Sequence, residues 1–79
     1  MEMTALCEIL AEVLRVDRDE VSRETTIAGD LDADSLDLYQ VLQRVEERLE
    51  IRVSARDFFA AETVRDLLEV IQGGSHERS

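Results

Sequence analysis

Three stretches of the chain repeat apolar residues with the period of an α-helix. Leu6, Ile9, Leu10, Val13 and Leu14 stand at i, i+3, i+4, i+7 and i+8, which places them on one helical stripe. Thr4 in front of them predicts an N-cap. Leu38, Val41, Leu42, Val45 and Leu49 repeat the pattern and predict a second helix starting near Asp34 or Ser35. Val64, Leu67, Leu68 and Ile71 predict a third. Thr63, with Asp66 three residues on, predicts a capping box with Asp in place of Glu, and Gly73 predicts the end of that helix. A short helical turn is expected around Arg56–Phe59, burying at least one of Phe58 and Phe59.

The connections are less regular. Between the first two helices runs a long segment, Arg15 to Asp34, in which Val21, Ile27 and Leu31 recur as apolar anchors. Ile51 and Val53 alternate with polar residues as a strand would, but a lone strand has no partner, so an anchored loop is expected. These elements predict an all-α fold: a small four-helix bundle of three main helices and one short one, with a long loop between helices 1 and 2. A single domain is expected over 1–74, followed by a frayed tail over 75–79.

Composition narrows the function. A chain of 79 residues is one domain at most. All nine of its Lys and Arg residues are arginine, against 19 Asp and Glu, for a net charge of −10. So acidic a chain lacks the cations that phosphate backbones or an anionic membrane leaflet would require, and a partner with a basic surface is its natural complement. The hydrophobic share of 44% is too high for a disordered acidic tail. No apolar run approaches the roughly 20 residues of a membrane span. Met1-Glu2-Met3-Thr4 has neither the basic nor the apolar part of a secretory signal, so a cytoplasmic protein is expected. Cys7 is the only cysteine, which excludes an internal disulfide and a cysteine-based zinc site. It sits one position off the helix-1 stripe, as a small apolar filler does. His76, the only histidine, lies in the tail and is expected to be solvated. A core this small leaves little room for a deep pocket, which favours a binding or carrier module over an enzyme.

The most informative segment is Asp30-Leu31-Asp32-Ala33-Asp34-Ser35-Leu36-Asp37. Asp30, Asp32 and Asp34 fall at positions 1, 3 and 5 of a calcium-loop pattern. The pattern then fails, with Ser35 where a glycine is needed and Val41 where a bidentate glutamate is needed. A second reading makes Asp34 or Ser35 a plain N-cap, with acids gathered where the helix dipole favours them. A third makes Ser35 a modification site at the head of a helix. Leu36 falls off the apolar stripe and so stands exposed beside it, as a docking residue would.

The surroundings of the run decide between these readings. Ile9-Leu10, Leu14-x-Val16, Glu20-Val21, Ile27, Asp30-Leu31, Ala33-Asp34-Ser35-Leu36, Glu46-Glu47, Ile51-x-Val53 and Thr63-Val64-x-Asp66-Leu67 form an ordered set that resembles the acyl carrier protein family over roughly residues 5 to 72. The resemblance implies that Ser35, flanked by Asp34 and Leu36, is esterified to 4′-phosphopantetheine taken from coenzyme A. The arm's thiol then holds cargo as a thioester. It implies a non-catalytic protein, with no catalytic or metal-binding residue of its own. Its partners would be a phosphopantetheinyl transferase, an acyl-loading enzyme and a synthase with basic docking patches. The acids Asp34, Asp37, Glu46 and Glu47 and the apolar Leu36 and Tyr39 are the matching candidates for the docking face. Each acid taken singly reads equally well as a solvated helix position. Leu42, Val45, Leu49, Ala61, Leu67 and Leu68 would line a cargo cleft, or else simply a closed core.

Departures from the family's usual run bear on the pathway. Asp32 stands where many members have glycine, Gln40 and Gln43 replace more usual residues, and Arg44 puts a cation on a helix that is commonly acidic. These disfavour a housekeeping fatty-acid carrier and suit a dedicated one in polyketide-type or other specialised acyl assembly, and a free-standing monomer is expected. The Phe58-Phe59 to Thr63-Val64 segment is also similar to the peptidyl carriers of nonribosomal synthetases, so an aminoacyl or peptidyl carrier is the near alternative. An acidic helical adaptor for a basic partner is the alternative of another class, and it predicts that Ser35→Ala leaves function intact.

Overall fold

A computed structural model describes residues 2–74. The first stripe forms α1 (Glu2–Leu14), which buries Ala5, Leu6, Cys7, Ile9 and Leu10. Val13 and Leu14 pack against the core only in part. Thr4 is not the cap: the helix already includes Glu2, and Thr4 lies exposed inside its first turns. Cys7 is buried, and burial pushes its thiol above the usual cysteine range despite Arg18 nearby, so it fills space in the core. The helix ends on Arg15 in the left-handed region, φ 58°, with the Val16 N–H donating to the Ala11 carbonyl at 3.2 Å.

The long connection contains a 3₁₀ turn over Arg18–Glu20. Val21, Ile27 and Leu31 are buried, as their recurrence predicts. A fourth anchor is polar. Thr25 is only 7% exposed, and its hydroxyl accepts the Ser22 N–H at 2.9 Å and reaches the Glu20 carbonyl at 3.4 Å. These bonds offset the cost of burying it.

The second stripe forms α2 (Ser35–Leu49), with Leu38, Val41, Leu42 and Val45 buried and Leu49 partly so. Glu50, at φ 56°, ends it in the left-handed conformation. Residues 51–54 are the expected anchored loop. Val53 is buried, and its N–H donates to the Glu46 carboxylate at 2.9 Å. Ser54 then caps the short α3 (Ala55–Ala60) by accepting the Asp57 N–H at 3.2 Å. Phe58 is wholly buried, while Phe59 is 38% exposed.

The last helix is α4 (Val64–Gly74). Thr63 and Asp66 form the expected box at its start: the Asp66 N–H donates to Thr63 Oγ1 at 3.2 Å, and the Asp66 carboxylate accepts the Glu62 and Thr63 N–H groups. Gly73 does not end the helix, which continues through Gly74, because neither glycine takes the positive φ that stops one. The tail residues 75–79, His76 among them, lie outside the described residues.

The four helices surround one core made of the three predicted stripes, the loop anchors and Phe58. The largest interface is between α1 and α2. Ion pairs cross it, Arg44 to Glu12 at 3.0 Å and Arg48 to Glu8, while Arg18 approaches Glu8 at 3.3 Å. One non-helical pairing closes the bundle. Thr26 and Thr63 form an antiparallel bridge, flanked by the Ile27 N–H to the Glu62 carbonyl and the Val64 N–H to the Thr25 carbonyl, both 2.9 Å.

Candidate functional site

Each member of the acidic run has a distinct environment. Asp30 is tied to Thr26: its carboxylate accepts the Thr26 N–H at 2.9 Å, and its own N–H donates to Thr26 Oγ1 at 2.8 Å. Gly29 lies inside this pair, where an added Cβ would stand 2.8 Å from Thr26 Oγ1. Asp32 is exposed and left-handed, φ 53°, a conformation that Asp tolerates better than most side chains and glycine better still.

Asp34 is the N-cap of α2. It accepts the Asp37 N–H at 2.9 Å and donates its own N–H to the Asp37 carboxylate at 3.3 Å. Two aspartates thus make a reciprocal capping box in which Asp does the work usual for Glu. Among the described residues, no three His, Cys, Asp or Glu side chains are placed to hold a metal ion. Asp30 and Asp34 have turned their carboxylates to backbone N–H groups instead.

Ser35 is the first residue of α2 and is exposed. Leu36, 67% exposed, and Tyr39, 50% exposed, stand out from the core stripe. Further along the helix, Glu46 is half-buried and holds the Val53 N–H, while Glu47 is exposed beside a shallow groove shared with Gln43, Ile51 and Arg52. Arg44 and Arg48 are drawn to the α1 side by Glu12 and Glu8. The cations of α2 therefore pair backwards and leave its acids uncompensated.

A solvent-open cleft of about 540 Å³ adjoins Ser35. Its walls are the loop over residues 26–29, the start of α2 from Ala33 to Ser35 with Leu38, and Phe59, Ala61 and Glu62 beyond α3. The core-stripe cleft that the sequence offers as one of two readings is not this opening. Of the residues named for it, only Ala61 lines the opening. Leu42, Val45, Leu67 and Leu68 are buried in the closed core, at 4% exposure or less. The signal missed in the sequence is the small-residue run Ala28-Gly29, where the loop leaves a gap above Leu38.

A protein-family model described as the phosphopantetheine attachment site matches residues 4–71. The chain belongs to the acyl carrier protein family. The acyl carrier protein of Clostridium perfringens is 41% identical over 66 residues, covering 84% of this chain and 87% of that protein. That of Streptococcus pneumoniae is 42% identical over 65 residues, covering 82% and 84%. The fold also superposes on a solved Mycobacterium tuberculosis chain provisionally assigned as an acyl carrier protein. There the TM-score is 0.83 at 27% identity, covering 92% of this chain and 97% of that one.

The protein is thus a carrier rather than a catalyst, and 4′-phosphopantetheine is its prosthetic group. Carriers of this kind meet a phosphopantetheinyl transferase and acyl-handling enzymes. The surroundings of Ser35 fit such a group. An exposed hydroxyl stands at a helix start, whose dipole favours a phosphodiester. Beside it, the cleft offers Ile27, Ala28, Leu38 and Phe59 to apolar atoms, with Thr26 and Glu62 at its polar edge. No helix among the described residues is long and apolar enough to cross a membrane.

Proposed function

We propose that Ser35 is the residue that carries the phosphopantetheine, and that the protein serves polyketide-type or other specialised acyl assembly. The supporting observation is the place of Ser35: exposed, first in α2, at the rim of the cleft. The bound arm supplies a thiol that holds cargo as a thioester. The chain's own part is to tether and present it. The capping box holds the start of α2, and so the direction in which Ser35 projects.

Docking falls to the face that follows. Leu36 and Tyr39 provide apolar area, and Asp34, Asp37, Glu46 and Glu47 provide charge toward basic patches on the transferase, the loading enzyme and the synthase. Asp34, Asp37 and Glu46 each accept a backbone N–H, so their charges are held in place before a partner arrives. Glu47 is freely presented. Gln40 and Gln43 lie exposed between Asp37 and Glu46, and Arg44 pairs with Glu12. The middle of the face is therefore uncharged, which suits a dedicated partner. Asp32 adds an exposed charge to the loop just before Ser35. The protein works as a cytoplasmic monomer whose carrier domain spans 1–74. An aminoacyl or peptidyl cargo is the second reading, on the likeness of the Phe58-Phe59 to Thr63-Val64 segment to peptidyl carriers.

Intact mass before and after incubation with coenzyme A and a broad-specificity phosphopantetheinyl transferase tests the attachment. The native chain should gain one phosphopantetheine, and Ser35→Ala should gain none. Addition to Ser35→Ala, or none to a folded native chain beside a labelled control carrier, refutes it. Loading of the holo-protein by acyl- and aminoacyl-transferring enzymes then separates the two cargo classes.

A further inference from the structure

The wall of the cleft beside Ser35 is irregular backbone, and its shape is set from outside the cleft. Asp66, in the first turn of α4, does not line the cleft. Its carboxylate accepts the N–H groups of Glu62 at 3.1 Å and Thr63 at 3.2 Å. The Glu62 carbonyl accepts the Ile27 N–H at 2.9 Å, and the Ile27 carbonyl accepts the Ala33 N–H at 3.1 Å. Ala33 leads directly into the cap of α2 and Ser35. Glu62, Ile27, Ala33 and Ser35 all line the cleft. A relay of hydrogen bonds therefore joins α4 to both walls as far as Ala33, and covalent backbone continues from there to Ser35. The Glu62 carbonyl and the Thr63 N–H belong to one peptide group, so the bond from Thr63 to Asp66 strengthens the bond that the Glu62 carbonyl accepts from Ile27. The two backbone donors hold the Asp66 carboxyl below the usual carboxylate range, so it is charged and accepting at neutral pH.

We propose that Asp66 is a positioning residue for the prosthetic arm: acting through Glu62, Ile27 and Ala33, it fixes the cleft wall and the approach to Ser35. This rests on Ser35 being the attachment residue. Removing the carboxylate frees the Glu62 and Thr63 N–H groups, and with the Thr63 peptide unheld the Glu62–Ile27 bond weakens and the loop before α2 drifts. Small displacements of that kind cost a positioned reaction heavily.

The test uses the full chain as Asp66→Ala and Asp66→Asn, with Val13→Ala, on α1 and outside the cleft lining, as a destabilised control. Two quantities are read: amide hydrogen exchange, and kcat/KM for phosphopantetheine transfer from coenzyme A. In Asp66→Ala, exchange at the Ile27 and Ala33 amides should quicken about tenfold relative to Val41 and Val45 in α2. Transfer should slow about fivefold. Asp66→Asn, whose amide oxygen still accepts, should restore both to within about twofold. Val13→Ala should change exchange evenly and leave transfer unchanged. If Asp66→Ala does not fold, Asp66→Glu keeps the charge while misplacing the oxygen, and is expected to shift both readouts in the same direction. Uniform exchange across the molecule, or transfer at the native rate, overturns the proposal. Failure of the native chain to load would instead overturn the assignment of Ser35, and the exchange pattern would still decide whether the relay exists.

Discussion

Replacing Asp34 separates two things that its carboxylate does. It accepts the Asp37 N–H at 2.9 Å, and it places a negative charge at the start of α2. Asp34→Ala removes both. The bond is exposed, so water takes over the freed N–H, and the loss should sit near the middle of the capping range, about 1 kcal/mol. The charge contributes two smaller terms of opposite sign: about 0.3–1 kcal/mol gained from the helix dipole, and about 0.2–0.5 kcal/mol lost to repulsion from Asp37 three residues on. Asp34→Asn keeps the acceptor and removes the charge, so it should stay within about 0.5 kcal/mol of the native protein.

For a domain of this size, about 1 kcal/mol moves Tm by roughly 4–8 °C. Thermal unfolding followed by circular dichroism should therefore show Asp34→Ala lowered by about that much and Asp34→Asn close to native. If Asp34→Asn melts with Asp34→Ala, charge rather than the hydrogen bond holds the start of α2, and the account of the capping box is wrong. In the transferase assay the ranking should change. If the proposed docking face is read through its charge, Asp34→Asn should load more slowly than the native chain although it is equally folded.

Other perturbations have equally definite outcomes. Phe58→Ala empties a fully buried aromatic site and should cost about 3–5 kcal/mol, a large part of the stability of a small domain, seen as a collapse of the urea midpoint. Glu50→Gly relieves a left-handed non-glycine helix end and should stabilise the protein by about 0.5–1 kcal/mol in the same titration. Gly29→Ala drives a methyl toward Thr26 Oγ1, which is held by the Asp30 N–H, and should cost about 1–3 kcal/mol with increased exchange in the loop. Asp66 and Glu8 both have lowered carboxyl pKa values, Asp66 from backbone N–H donors and Glu8 from its hydrogen bond to Arg48. The folded state therefore binds fewer protons than the unfolded chain. Their stabilisation should be full above the ordinary carboxylate values of 4.5 for Glu and 3.8 for Asp, and be lost as pH falls below them. Urea titrations from neutral pH downward should show that decline, flattened in Asp66→Asn.

The periodic parts of the chain were the legible ones. Leu38, Val41, Leu42 and Val45 identify the inner face of α2 because packing and sequence period agree there, and the same agreement places Leu36 outside. The Thr63–Asp66 box was legible because it is local. What escaped was of two kinds. Helix ends at Arg15 and Glu50 use the left-handed conformation without glycine, so the usual marker is missing. Thr4 misled in the opposite way, looking like a cap inside a helix that had already begun. The other kind lies in irregular backbone. Buried Thr25 and the tie between Glu46 and Val53 are close in the chain but follow no period, and the pairing of the loop with the α3–α4 junction depends on residues that meet only after folding. Of the two readings the core stripe offers, a cleft or a closed core, the structure has the closed core, and the opening beside Ser35 lies over Ala28 and Gly29. The stripe closes on itself, and the gap is made by backbone that no periodicity describes.

The Thr26–Thr63 bridge and the α1–α2 interface are both non-local: Arg44 and Arg48 meet Glu12 and Glu8 across 32 and 40 positions of chain. They differ in what they bury. The α1–α2 contact seals apolar stripes, whereas the bridge joins backbone at two half-buried threonines. Local opening is cheapest where few apolar contacts are buried, so the bridge should open at lower free energy than the helical interface. The bridge borders the cleft beside Ser35, so the bundle should part there while the remainder stays folded.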